Sequence, residues 1–226
     1  CNDRVDFEHA ICQSPLEYEP KTCSVYSDLG FMLLGFILVA LDPNRTPLDL
    51  QFASIAAERN WGEVCYRPNS LWRERIAPTE HDSWRGRLLI GEVHDENCYA
   101  LGGVAGHAGL FGTASAVGRF ATDILNAAHG IETLASARTF EQFKQRSSVS
   151  NSSRALGWDT MLPTSSCGSR MSSEAIGHTG FTGTSLWIDP SNNRYIVLLT
   201  NRVHPSRSNN EILSFRPAFH DSIMSE

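Results

Sequence analysis

Lysine is nearly missing from this chain. Its 226 residues include two, Lys21 and Lys144, and the remaining positive charge rests on arginines scattered along the sequence. Acidic residues are in excess and the formal net charge is −6. No basic cluster is available to track a phosphate backbone or sit on an anionic bilayer, so the sequence points away from nucleic acid. Neither lysine closes a phosphate-cradling loop, and there is no Gly-x-Gly-x-x-Gly, which argues against a nucleotide site. His-Glu-x-x-His is missing too; His94, Asp95 and His107 offer ligand atoms without a metal-site spacing, so no metal is expected. The six cysteines, at positions 1, 12, 23, 65, 98 and 167, form no Cys-x-x-Cys. Their wide spacing suits reduced thiols and favours the cytoplasm; in the periplasm Cys12 and Cys23 could pair, and Cys1 could carry a lipid. The longest apolar run, Leu29 to Leu41, spans 13 residues, too short to cross a bilayer and suited to a buried helix.

What is present reads as an ordinary folded chain, 41% hydrophobic and 19% charged. A short helix is predicted around Phe7 to Gln13, followed by a loop punctuated by Pro15 and Pro20. Ser27 or Asp28 can cap a helix from Leu29 to about Leu41, with Leu29, Met32, Leu33, Phe36, Ile37 and Ala40 on one face. Asp42-Pro43-Asn44 stops it, and another helix runs from Leu48 to about Asn60. Residues 61–110 carry little periodicity and many turn formers, the signature of a long functional or mobile stretch. Helices follow from Thr113 or Ser115 through Leu125 and over about Ser136 to Gln145, and Ser147 to Ser153 is a polar low-complexity loop. The period then changes. Ala155 to Met161 reads as a strand, and Phe181 to Ile188 and Tyr195 to Thr200 form a hairpin around Asp189-Pro190-Ser191-Asn192-Asn193. Phe215 to Met224 suits a closing helix with Pro217 near its first turn.

Two motifs carry chemistry. Gly177-His178-Thr179-Gly180-Phe181-Thr182-Gly183-Thr184-Ser185-Leu186-Trp187-Ile188-Asp189-Pro190 reads as a buried strand with a polar, glycine-spaced edge, where another molecule can approach bare backbone. Far upstream, Tyr26-Ser27-Asp28 opens the apolar helix. A lone tyrosine or histidine in such places is usually structural. The full context changes that balance, because the two motifs together resemble the penicillin-recognising serine hydrolases: class C β-lactamases, DD-peptidases and related esterases. The resemblance runs from about Pro15 to about Asp221 and includes the His94 to Phe111 loop and Thr200-Asn201-Arg202.

That resemblance implies an α/β (α+β) fold, an antiparallel sheet flanked by helices. The chain would be a single partial domain over 1–226, helical and loop-rich over about 26–150, with the sheet and closing helix over about 155–226. It implies acyl transfer from an ester or amide, a small-molecule substrate, and no cofactor. Tyr26 would be the general base and His178 would assist it; Asp28, Thr179, Gly180 and Phe181 would bind substrate, the Phe181 amide as one oxyanion donor. Two departures stand out. The family's nucleophile lies in Ser-x-x-Lys, but Tyr18 and Glu141 stand three before the two lysines, so the motif is missing here. The chain is therefore expected to be the C-terminal portion of a longer hydrolase, partnered by an N-terminal segment or another chain, or else an inactive remnant that binds a ligand or partner. Asp28 stands where the family has asparagine; a carboxylate accepts hydrogen bonds but donates none, which favours esters over penicillins.

Overall fold

The computed structural model describes residues 4–131 and 134–225, and Cys1, the residue that could carry a lipid, lies outside them. The described chain forms two compact units, one ending at Thr113 and the other beginning at Ala114.

The first unit opens with three helices, α1 (Arg4–Gln13), α2 (Asp28–Leu41) and α3 (Leu48–Glu58). Extended backbone at Ser27 (φ −144°, ψ 125°) marks the start of α2, but the Ser27 side chain makes no capping bond. Asp28 instead places a negative charge in the first turn, against the positive end of the helix dipole. Asp42 ends the helix: its carboxylate accepts the amides of Asn44 and Thr46 and turns the chain away. Helix α2 is apolar all round, so periodicity alone cannot choose its buried face. Met32, Gly35 and Phe36 are buried, with Phe7 of α1 packed on Met32 and Phe36. Leu29 and Ile37, predicted to be on the inner face, are 42% and 48% exposed. The face is selected by close backbone approach. A Cβ on Gly106 would lie 2.1 Å from the Phe31 carbonyl oxygen, and one on Gly35 would lie 3.2 Å from the Gly106 amide nitrogen.

Residues 61–110 are ordered by side chains holding backbone rather than by long elements. Short pieces follow one another: β1 (Val64–Tyr66), a 3₁₀ turn over Ser70–Arg75, β2 (His81–Asp82), β3 (Arg87–Leu88), α4 (Glu96–Ala100) and β4 (Leu110–Gly112). β1 pairs with β4, and β2 with β3, both antiparallel. Buried Arg85 fastens the β2–β3 hairpin. It pairs with Asp82 at 2.9 Å and donates to the carbonyls of Val93 (2.7 Å) and His94 (2.6 Å). Close by, His94 Nε2 and Glu80 are 2.8 Å apart, both buried.

The second unit is a four-stranded antiparallel sheet, β5 (Asp159–Thr160), β6 (Ile176–Thr179), β7 (Thr184–Asp189) and β8 (Arg194–Leu199), in that order. Helices α5 (Ala114–Ala128) and α6 (Ala137–Lys144) cover one face, where Ala121, Ile124, Leu125 and Phe140 meet Ile176 and Ile188. On the other face Trp187 and Ile196 pack with Cys167, Met171, Phe219 and Ile223, the last two from α7 (Ile212–Ile223). Strand alternation sends Trp187 and Ile188 to opposite faces. Opposite Trp187 stands Gly177, whose Cβ would meet the indole at 2.3 Å, so glycine lets the ring lie flat on β6.

The antiparallel sheet between helices matches the expected fold class. Three local readings change. Residues 177–190 are two strands, not one, because the chain reverses at Gly180–Gly183, with Gly183 at φ 118°. The strand expected over Ala155–Met161 shrinks to Asp159–Thr160, since Gly157 at φ 77° makes a turn closed by the Ala155 amide on the Trp158 carbonyl. Helix α7 starts at Ile212, which places Pro217 in its interior rather than its first turn.

Candidate active site

Tyr26, Asp28, Asp95 and His107 belong to the first unit; His178, Thr179, Gly180 and Phe181 belong to the second. Tyr26 stands two residues before α2, 40% exposed, its ring centroid 5.8 Å from that of Phe31. Asp28 is half-buried and neighbours a pair that sequence reading left unassigned. Asp95 caps α4 by accepting the Cys98 amide at 2.7 Å, and its Oδ1 is 2.8 Å from Nε2 of the buried His107. Burial opposes ionisation of Asp95, but the His107 N–H and the Cys98 amide outweigh it and hold the carboxyl below its ordinary value. Asp28, Asp95 and His107 bring three ligand-type atoms within 4.8 Å of one another. The glycine loop carrying His107 reaches Asp28 because Gly106 lies against the α2 backbone. A visible signal was the spacing of glycines 102, 103, 106 and 109: Gly106 and Gly109 are required by backbone contact, with the Phe31 and Gly103 oxygens, and Gly102 and Gly103 by positive φ of 80° and 83°.

No thiol of this chain is built as a nucleophile among the described residues. Cys98 and Cys167 are fully buried, and burial pushes both thiols up to about 12. Cys12, Cys23 and Cys65 are free, with Cys65 also raised by burial.

In the second unit, His178 and Thr179 end β6. His178 Nε2 lies 3.2 Å from Arg154 Nη1 and its Nδ1 lies 2.9 Å from the Thr179 carbonyl. A guanidinium can only donate and a carbonyl only accept. The ring therefore carries its proton on Nδ1 and offers the Nε2 lone pair to Arg154. Thr179 stands opposite Ser185 in the ladder. A Cβ on Gly180 would lie 2.2 Å from Thr184 Oγ1, so any larger residue there would have to turn that hydroxyl aside. Phe181 is 59% exposed, and Arg202 lies 4.1 Å above its ring and donates to its carbonyl at 2.7 Å. Arg216, 6% exposed, donates to the carbonyls of Gly180 and Thr184. Scattered arginines read from sequence as solvated surface; Arg85 and Arg216 are instead buried backbone anchors. Only Arg202 carried a signal, within Thr200-Asn201-Arg202.

Against known proteins, the Beta-lactamase family matches residues 2–215. The chain belongs to the beta-lactamase family. A putative D-alanyl-D-alanine carboxypeptidase of Escherichia coli (strain K12) is 35% identical over 86% of this chain and 48% of its own length. A protein of the same description from Salmonella gallinarum is 34% identical over 89% and 50%. The beta-lactamase family chain thus spans about half the length of the curated relatives it matches. Among solved structures, a mutant simvastatin synthase from Aspergillus terreus superposes with a TM-score of 0.68 at 15% identity, covering 98% of this chain and 59% of that one. A penicillin-binding protein homologue from Caulobacter crescentus gives 0.66 at 14% identity, over 95% and 63%. At such identities these two establish the fold alone. It is the one expected from Tyr26-Ser27-Asp28 and His178-Thr179-Gly180. No described helix is long and apolar enough to cross a membrane.

Proposed function

We propose that this chain supplies the base and the substrate-binding strand of a serine hydrolase acting on a small ester or amide through an acyl-enzyme. The observation that carries the reading is His178-Thr179-Gly180-Phe181 at the end of a strand whose following turn is fastened by Arg202 and Arg216. The serine would come from a segment outside this sequence. Its Oγ attacks the carbonyl carbon while the Tyr26 oxygen takes the hydroxyl proton and later gives it to the leaving alcohol or amine. Water then attacks the acyl-serine, with the proton returning by the same tyrosine. Phe181 N–H would meet the oxyanion, and Thr179 and Gly180 would align the acyl group by backbone pairing. His178 would hold the strand end. Asp28 would accept a hydrogen bond from the substrate without donating one.

The second reading, an inactive binding remnant, draws on the missing Ser-x-x-Lys. Two experiments separate them. The 226-residue chain alone should take up no fluorophosphonate label by intact mass, and stoichiometric serine labelling would reveal an unrecognised nucleophile. In the full-length protein, Tyr26→Phe deletes one hydroxyl and should lower kcat about 10²–10⁴-fold with folding unchanged. Wild-type kcat in that variant would remove Tyr26 as the base.

A further inference from the structure

The turn that joins β6 to β7 is held unusually completely on its carbonyl side. Arg216 Nη2 donates to the Gly180 oxygen at 2.7 Å and to the Thr184 oxygen at 2.9 Å. Arg202 Nε takes the Phe181 oxygen at 2.7 Å, and the Arg202 amide takes the Thr182 oxygen at 2.9 Å. Thr200 Oγ1 takes the Gly183 oxygen at 2.6 Å. Five consecutive carbonyls are thus satisfied by four donor groups, all from residues 200–216. Within the turn, the Gly180 amide bonds the Thr184 oxygen at 2.8 Å and the Gly183 amide bonds the Gly180 oxygen at 3.1 Å. The Gly180 and Thr184 oxygens therefore already have backbone donors. Arg216 is not needed to satisfy them, and desolvating a guanidinium is expensive.

Peptide geometry supplies a reason. In a planar trans peptide, the carbonyl of one residue and the N–H of the next point in opposite directions. Fixing the Gly180 oxygen therefore fixes the direction of the Phe181 N–H. A positive charge on that oxygen also polarises the peptide and makes the N–H a stronger donor.

We propose that Arg216 is a positioning residue that clamps and polarises the Gly180–Phe181 peptide so that the Phe181 N–H is aimed at a developing oxyanion. The aiming role rests on the hydrolase reading above; the clamp does not. Arg202 and Thr200 hold the next carbonyls and keep the turn from twisting, while Arg216 brings the one charged donor to the Gly180 oxygen, beside the neutral Gly183 amide.

The test uses two variants and two readouts. Arg216→Met keeps the bulk and removes the donors; Arg216→Lys returns a point charge without the fork. By amide hydrogen exchange on this chain, Arg216→Met should speed exchange at Gly180 and Gly183 about ten- to hundredfold, the range for charged hydrogen bonds, while the β7–β8 ladder keeps its rates. Arg216→Lys should restore part of the protection. In the full-length protein, Arg216→Met should lower kcat about ten- to hundredfold with KM nearly unchanged, short of the 10²–10³ seen on deleting an oxyanion donor. The preference for an oxo-ester over its thiono analogue should shrink, because sulfur accepts an aimed N–H poorly. Unchanged exchange at Gly180 and Gly183, or exchange raised equally across the ladder, overturns the clamp. Faster turn exchange with unchanged kcat and thiono ratio overturns the aiming role. A wild-type full-length protein that cleaves neither esters nor small amides overturns the hydrolase reading, and the exchange data still decide the clamp.

Discussion

Protonation of His220 should govern how this protein tolerates mild acid. The residue sits in the last turn of α7 with no exposed surface, its Nε2 3.1 Å from the Ser185 hydroxyl on β7. Burial, with the Arg216 charge second, pushes its pKa from 6.5 down to about 4, against a small opposing pull from Asp221. The unfolded chain therefore takes up a proton at a pH where the folded one refuses it. The stabilisation is complete above the unfolded value of 6.5, falls as pH drops from there towards about 4, and is flat below that. One proton is worth about 1.36 kcal/mol per pH unit, so the full window amounts to roughly 3 kcal/mol and the loss at about pH 5 to roughly 2 kcal/mol. That is a large share of a domain stability of about 5–15 kcal/mol. The assay is urea unfolding followed by tryptophan fluorescence at about pH 7.5 and about pH 5, on wild type and His220→Gln. The glutamine variant cannot titrate, so its stability should fall less between the two by about 2 kcal/mol. Equal falls in both proteins would refute a neutral, buried His220.

Adding a methyl at Gly106 forces it to within 2.1 Å of the Phe31 oxygen, so Gly106→Ala should cost about 1–3 kcal/mol or more in urea midpoints. Gly30, beside Phe31 on α2, has nothing within 4 Å of an added Cβ, and Gly30→Ala should stabilise by about 0.5–1 kcal/mol; a loss there would contradict the open space. Asp82→Ala takes the nearer carboxylate from buried Arg85 and leaves it Glu92 at 3.6 Å, so it should cost about 1.5–3 kcal/mol, whereas a cost below about 1 kcal/mol would show that the Asp82 bond adds little to the hairpin. In the full-length protein, p-nitrophenyl acetate should be cleaved in preference to a chromogenic cephalosporin, because Asp28 offers no N–H; the reverse preference in kcat/KM would overturn the ester assignment.

Helices were legible wherever an apolar period met a stop signal. The ends of α2 and α3 fell within a few residues of their predictions because Asp42 and the Asn60 region carry their own turn chemistry. The side of α2 that is buried was not legible, since its sequence is apolar all round and the choice depends on Gly106, seventy residues away. The 61–110 stretch looked weak because Arg85 orders it through carbonyls, and hydrogen bonds to backbone leave no periodic trace. The candidate site was proposed from its motifs, Tyr26-Ser27-Asp28 and His178-Thr179-Gly180. The residues bonded or placed close to those motifs, Arg154, Arg216 and the Asp95–His107 pair, are single residues far off in sequence. The break at Gly180–Gly183 was hidden because Gly-Phe-Thr-Gly sits between two apolar stretches that read as one.

The packing of Trp187 against Gly177 also makes that indole an optical probe. Trp187 has no exposed surface and Trp61 is 4% exposed, while Trp84 is 62% exposed. The two shielded rings lie in different compact units. Each should emit at the blue edge of tryptophan fluorescence until its surroundings open. A protein carrying Trp61→Phe and Trp72→Phe would report mainly the melting of the sheet-bearing unit, and one carrying Trp158→Phe and Trp187→Phe mainly that of the first unit, because half-buried Trp72 and Trp158 also sense their own units. One cuvette and two variants would then read out whether the halves unfold together or in turn.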